Sequence, residues 1–216
     1  MVSLVLIMMM ILSLGVNSFA TSDLSEIIED IEIPYDIYIQ HKAESLGVSI
    51  EEAIVIDEEE NTEYKKNLQK RHPELFETDL LMVTDIRSTP TFIYKTIKKT
   101  QEYEKNNLYS ATVYADIKIY VDSDTAFREI VEVLGNVYSR REEGWGNYEW
   151  VELNAWDSPS GNSYPTDEVQ IRATGYFKVQ VDSSVSVGVE LFGFEMSGSD
   201  IYQSKNMTID YEYSLY

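Results

Sequence analysis

The sequence predicts an α+β fold: a predominantly antiparallel β-sheet with one packed helix at residues 124–135, preceded by a small, acidic, helical N-terminal region. Three observations predict it. Apolar and polar residues alternate over long stretches of the second half, turn clusters separate those stretches, and strong helical spacing there is confined to 124–135. Antiparallel strands with one wet face read this way, whereas parallel strands read as continuous apolar runs. A β-sandwich in which residues 79–104 supply a second sheet is the alternative architecture.

Three segments are expected: a signal peptide at 1–20, the acidic and partly helical region at 21–77, and the β-rich domain at 78–216. Residues 4–16 read LVLIMMMILSLGV, an uncharged apolar run of thirteen residues. A membrane-spanning helix needs ~20 such residues and a signal-peptide core ~7–15, so the run reads as an export signal. Ser18 and Ala20 place small residues where cleavage after Ala20 would need them. No Lys or Arg precedes the run, which departs from the usual signal pattern. The expected localisation is secreted, with no stable membrane insertion once the signal is cleaved.

Between residues 21 and 77 the only bases are Lys42, Lys65, Lys66, Lys70 and Arg71, against the acidic run Asp57-Glu58-Glu59-Glu60. Residues 36–46 fit a helix ended by Gly47. Ser49 and Glu52 fit a capping box that starts another, and residues 65–71 fit a third helical stretch stopped by Pro73. The pair has the outline of a helix-turn-helix, but a DNA reader needs bases where this one carries Glu51, Glu52 and Asp57.

From about residue 79 the period becomes two. Ala111, Val113, Ala115, Ile117, Ile119 and Val121 alternate with Thr112, Tyr114, Asp116, Lys118 and Tyr120, giving a strand with one apolar face. Phe127, Ile130, Val131 and Leu134 then recur at helical spacing between Asp124 and Gly135, which predicts the 124–135 helix. Residues 137–142 and 148–157 bracket Gly144-Trp145-Gly146-Asn147 and read as a hairpin. Val169, Ile171, Ala173, Gly175, Phe177, Val179 and Val181 share one face of a long strand. A reversal at 182–184 and a final strand holding Met207, Ile209, Tyr211 and Tyr213 complete the sheet.

The composition excludes several chemistries. The chain has 216 residues, 17 Lys and Arg against 38 Asp and Glu, a net charge of −21 and no cysteine. Disulfides, thiol catalysis and thiolate metal sites are therefore absent, and a phosphate backbone would be repelled, so no nucleic-acid partner is expected. His41 and His72 are the only imidazoles, too few for a His-rich metal site, and both read as surface residues. A cysteine-free, acidic exported chain fits a bacterial origin better than a small disulfide-stapled extracellular domain.

The candidate ligand site is the tryptophan-rich strand. With Val151, Leu153 and Ala155 turned inward, Tyr148, Trp150, Glu152, Asn154 and Trp156 would share the outer face. Flat rings beside a carboxylate and an amide suit a glycan or a peptide, because the rings stack while the polar groups orient the ligand. Glu149 and Glu152 are two nearby carboxylates that invite a glycosidase reading, but chance pairs abound among 38 acidic residues and a regular strand would point these two to opposite faces. Asp122 and Asp124 begin like a calcium loop, but Ala126 and Phe127 stand where such a loop wants an oxygen ligand and Gly. Weak calcium binding is the one cofactor expectation.

The expected function is a secreted, non-catalytic binding or interaction protein whose partner is a neutral or cationic ligand, glycan or peptide. The alternatives are a secreted hydrolase using a carboxylate pair and a structural envelope or matrix component.

Overall fold

The computed structural model describes residues 28–76, 91–135, 137–142, 148–181 and 191–216. The expected export signal and the expected reversal at 182–184 lie outside these residues, as does the turn expected at 144–147 with Trp145.

The element order is β1 (Ile28–Glu32), α1 (Tyr35–Leu46), α2 (Ile50–Arg71), a 3-10 turn (Pro73–Leu75), β2 (Thr91–Tyr103), β3 (Asn106–Asp122), β4 (Phe127–Val133), β5 (Tyr138–Arg141), β6 (Tyr148–Pro159), β7 (Glu168–Gln180), β8 (Phe194–Met196), β9 (Ile201–Ser204) and β10 (Met207–Ser214). This is an α+β fold, and among the described residues every strand pairing is antiparallel.

The strands form two five-stranded sheets. In the first the order is β1-β2-β3-β4, with β5 beside β3; in the second it is β10-β7-β9-β8, with β6 beside β7. Residues 91–103 join the same sheet as β3, so the second sheet of the alternative reading comes from the C-terminal strands instead. One core lies between the sheets: Ala111, Val113, Ala115, Ile117 and Ile119 meet Val169, Ile171, Ala173, Phe177 and Ile209. Tyr211 donates to the Ile97 carbonyl at 3.3 Å and Lys99 to the Asp210 carbonyl at 2.6 Å, tying β10 across to β2.

The other face of the first sheet is also covered. Tyr38, Ile39, Ala43 and Ala53 from the helices pack with Leu134, and Tyr64 and Leu68 pack with Tyr120. The helices form for the reasons the sequence gives. Gly47 closes α1 in the left-handed conformation (φ 68°), and Ser49 and Glu52 make both bonds of the capping box that opens α2. The stretch at 65–71 is the last part of α2, a single helix of 22 residues, and not a separate element. No helix among the described residues is long and apolar enough to cross a membrane.

The helix expected at 124–135 is a strand. Residues 123–126 make the turn and Phe127–Val133 is β4, paired with β3. The pairing carries a bulge, since Ile119 faces Ile130 while Lys118 faces Glu132. The bulge leaves Val131 on the helix side with Phe127, while Ile130 and Val133 face the core. A strand with apolar side chains on both faces, re-phased by one extra residue, places them at 127, 130, 131 and 134, which imitates a helical period.

The hairpin expected across 144–147 does not form by backbone pairing. Among the described residues, β5 pairs with β3 in the first sheet and β6 with β7 in the second, and the two are not paired with each other.

Candidate functional site

The tryptophan strand does not present one face. Trp150 lies opposite Phe177 and Tyr148 opposite Val179, both on the core side, and the two aromatics are 8% and 4% exposed. Their polar ends are satisfied inside: the Trp150 indole donates to Ser139 Oγ at 2.8 Å and the Tyr148 hydroxyl to the Glu142 carbonyl at 3.1 Å. Between Glu152 and Asn154 the register shifts by one residue, with Leu153 as the extra position. Beyond it the parity is inverted, so Ala155 turns to the core and Trp156 turns out. The expected shared face of Tyr148, Trp150, Glu152, Asn154 and Trp156 is thus split, and of the aromatics only Trp156 reaches the outer side.

That outer face of the second sheet is organised in cross-strand rows. Trp156 faces Arg172, which faces Asp210. The Arg172 guanidinium lies 5.1 Å from the Trp156 ring centroid and 2.5 Å from Asp210 Oδ2. Neighbouring rows hold Asn154, Thr174 and Thr208, then Val151 and Tyr176, then Glu149 and Lys178. Outward side chains of β7 alternate with fully buried ones and remain half exposed. Leu153 is 54% exposed at the bulge.

The two carboxylates weighed for hydrolysis have separate partners. Glu149 pairs with Lys178 at 3.4 Å, and Glu152 accepts from the Ser139 backbone at 2.5 Å and hydroxyl at 2.7 Å.

Asp122 serves the turn between β3 and β4. It is buried, and its Oδ1 accepts from the amides of Asp124 at 3.0 Å and Thr125 at 3.4 Å. Among the described residues, the group of carboxylates that could converge on an ion is instead Asp57, Glu60 and Glu132, with oxygens within 4.8 Å of one another. Lys42 already fills that position, its Nζ lying 3.0, 2.5 and 3.0 Å from the three carboxylates. Lys118 adds a second ammonium 2.6 Å from Asp57. The Tyr35 hydroxyl at 3.3 Å and the Asn61 amide at 2.9 Å also donate to Asp57, and Tyr38 donates to Glu132. With two lysines in place, this donor set does not fit a calcium ion, which wants six to eight oxygens to itself.

Burial alone pushes the Asp57 carboxyl up, and hydrogen bonds and charge from Lys118 and Lys42 more than offset this, holding it below the ordinary aspartate value. Burial likewise opposes the charge on Lys42, but Glu132, Glu60 and Asp57 together hold its pKa above the usual lysine range. The network joins α1, α2, β3 and β4.

A second buried carboxylate lies nearby. Asp116 on β3 is 5% exposed, accepts from Thr96 Oγ1 at 2.5 Å and meets His41 Nδ1 at 2.7 Å. His41 is therefore oriented by the sheet, which its reading as a plain surface residue did not foresee. His72 pairs with Glu74 at 2.9 Å on the exposed side of the 3-10 turn.

No protein-family model, curated protein or solved structure matches this chain. The functional reading therefore rests on the geometry of these groups alone.

Proposed function

We propose that the chain is an exported, non-catalytic binding protein that offers the outer face of its second sheet to a neutral or cationic ligand, glycan or peptide. The observation that carries this reading is the Trp156–Arg172–Asp210 row. It fixes an indole on a rigid sheet between hydrogen-bonding neighbours while the other outer face of the sandwich is given over to the helices. A ring held by its neighbours loses little freedom on stacking against a ligand, and the flanking Asn154, Thr174 and Thr208 supply polar contacts. The net charge of −21 favours neutral or cationic partners over nucleic acids or anionic membranes.

Residues 1–20 are the proposed export signal, and a bacterial envelope or extracellular setting is the proposed location. N-terminal sequencing of the protein recovered outside an expressing bacterium should begin at Thr21; retention of the full chain inside the cell counts against export.

Binding is tested by tryptophan fluorescence and calorimetry with soluble cell-wall oligosaccharides and with short cationic peptides. Trp156→Ala should weaken the bound ligand about five- to tenfold, the equivalent of ~1–1.4 kcal/mol, with the unfolding midpoint little changed. Unaltered affinity in both Trp156→Ala and Arg172→Ala removes this face as the site.

A further inference from the structure

On the helix side of the first sheet, with the whole sandwich between it and the open face, lies a cleft of about 330 Å3 lined by His41, Glu44, Ser45, Asp116, Leu134 and Tyr138. Its volume sits at the small end of the range for ligand pockets, ~300–1,000 Å3. The sequence places the lining by two devices. His41, Glu44 and Ser45 are three and four residues apart on α1 and so share one side of the helix. Gly135, at φ 23°, brings the end of β4 up against the helix, where any Cβ would overlap Ser45 Oγ.

The chemistry of the cleft follows from the partners of Asp116. An ionised carboxylate only accepts, so the imidazole nitrogen 2.7 Å away must carry its proton on Nδ1. Thr96 Oγ1 holds the second carboxylate oxygen and fixes its orientation. Nε2, on the opposite edge of the ring, is then a lone-pair acceptor in neutral His41. Glu44 adds an exposed carboxylate, and Tyr138 adds an aromatic ring held by stacking on Tyr114 at 5.1 Å and 10°. Leu134 is buried and makes an apolar surface. Among the described residues no Lys or Arg lines the cleft. The neighbouring Arg140 is drawn over the Tyr114 ring instead, 4.7 Å from its centroid.

A small cavity with acceptors, negative charge, an aromatic ring and one aliphatic surface selects against anions. It suits a compact cation that donates several hydrogen bonds from an alkyl stem. We infer that this cleft binds a primary alkylammonium group, carried either by a free amine or by a lysine side chain. The ammonium donates to His41 Nε2 and the Glu44 carboxylate, Tyr138 adds a cation–π contribution, and Leu134 takes the methylenes. A guanidinium, planar and wider, fits such a short cleft less well. The strongly negative chain raises the local concentration of any such cation at low ionic strength.

The test uses the full chain at about pH 8, where an alkylamine is charged. Ring resonances of His41 are followed by NMR during separate titrations with n-butylamine and with Nα-acetyl-lysine N-methylamide, with n-butanol as the uncharged control and His72 as the internal reference. The expected result is a saturable shift at His41 and none at His72, no response to butanol, and an affinity at least fivefold weaker in Glu44→Gln at unchanged melting temperature. Saturation by butylamine alone assigns a free amine, and tighter saturation by the lysine derivative assigns a peptide-borne side chain. A response to butanol equal to that of the amines, no saturable shift with either amine, or full affinity in Glu44→Gln overturns the assignment. None of these readouts involves Trp156, so this inference and the sheet-face reading fail independently.

Discussion

Gly175 shows how tightly single residues set the position of Trp150. It sits on the core face of β7 in the row opposite Glu152, and a Cβ placed there would lie 2.4 Å from the Trp150 indole and 2.5 Å from the Val151 carbonyl oxygen. The absent side chain leaves room for the indole, which donates to Ser139. Gly175→Ala, ordinarily favourable in a strand, should here destabilise the protein by ~1–3 kcal/mol, because the indole or the β6 backbone must move. A urea midpoint equal to that of the parent would show that the indole has room to shift. The inward turn of Trp150 was not legible beforehand. Alternation in 148–156 is equally compatible with either face, and the small partner that admits the ring stands twenty-five residues further on. The His41–Asp116 pair was hidden for a related reason: 75 residues separate its members, and neither belongs to a motif.

At the scale of elements, the helices and the long strands were legible because their signals are local. The glycine that ends α1, the capping box that opens α2 and the alternation in β3 and β7 each lie within a few neighbours. The two misread segments, 124–135 and 148–157, both contain a bulge. A bulge inserts one residue without any compositional mark, so it inverts the parity on which a face assignment depends. What the bulge in β4 achieves is visible in the charge network. It brings Glu132 to the helix side opposite Lys118, where Lys42 and Asp57 complete the array. Asp57 and Lys118 are at most 1% exposed, so Asp57→Ala leaves ammonium charge buried with fewer partners and should cost ~3–5 kcal/mol. The pH dependence has a definite sign. Because the Asp57 pKa is depressed in the folded state, its stabilisation is present above the ordinary carboxylate value of ~4 and is lost as pH falls below that value through the folded one. Urea melts between pH 2 and pH 6 should show this acid loss in the parent and a shallower one in Asp57→Ala. Identical slopes would place the acid sensitivity elsewhere.

For the whole molecule, the described residues form three layers: helices, a sheet covered on both faces, and a sheet whose outer face no described residue covers. A chain without cysteine holds these layers by packing, hydrogen bonds and ion pairs, and tyrosine carries much of the first two. The sequence contains 16 tyrosines, and several lie between layers with the hydroxyl bonded to a carboxylate or a carbonyl. Burial raises Tyr38, Tyr64, Tyr94, Tyr164 and Tyr211 well above the ordinary phenol value, with nearby carboxylates adding to the effect at Tyr38, Tyr64, Tyr94 and Tyr164. Tyr35 is pushed up to about 12, first by burial and then by Asp57. In the unfolded chain these phenols ionise near pH 10, so stability is intact below that value and falls as pH rises through it toward the folded values. The negative net charge works in the same direction, since each phenolate adds to an existing repulsion. Alkaline unfolding should therefore begin above about pH 10 and be cooperative, because one phenolate formed between the layers favours separating them. Absorbance at 295 nm should show an early non-cooperative fraction from exposed tyrosines, then a steep step coincident with loss of the far-ultraviolet signal. Complete titration of all tyrosines while the β-sheet signal persists would contradict the interlayer role assigned to them.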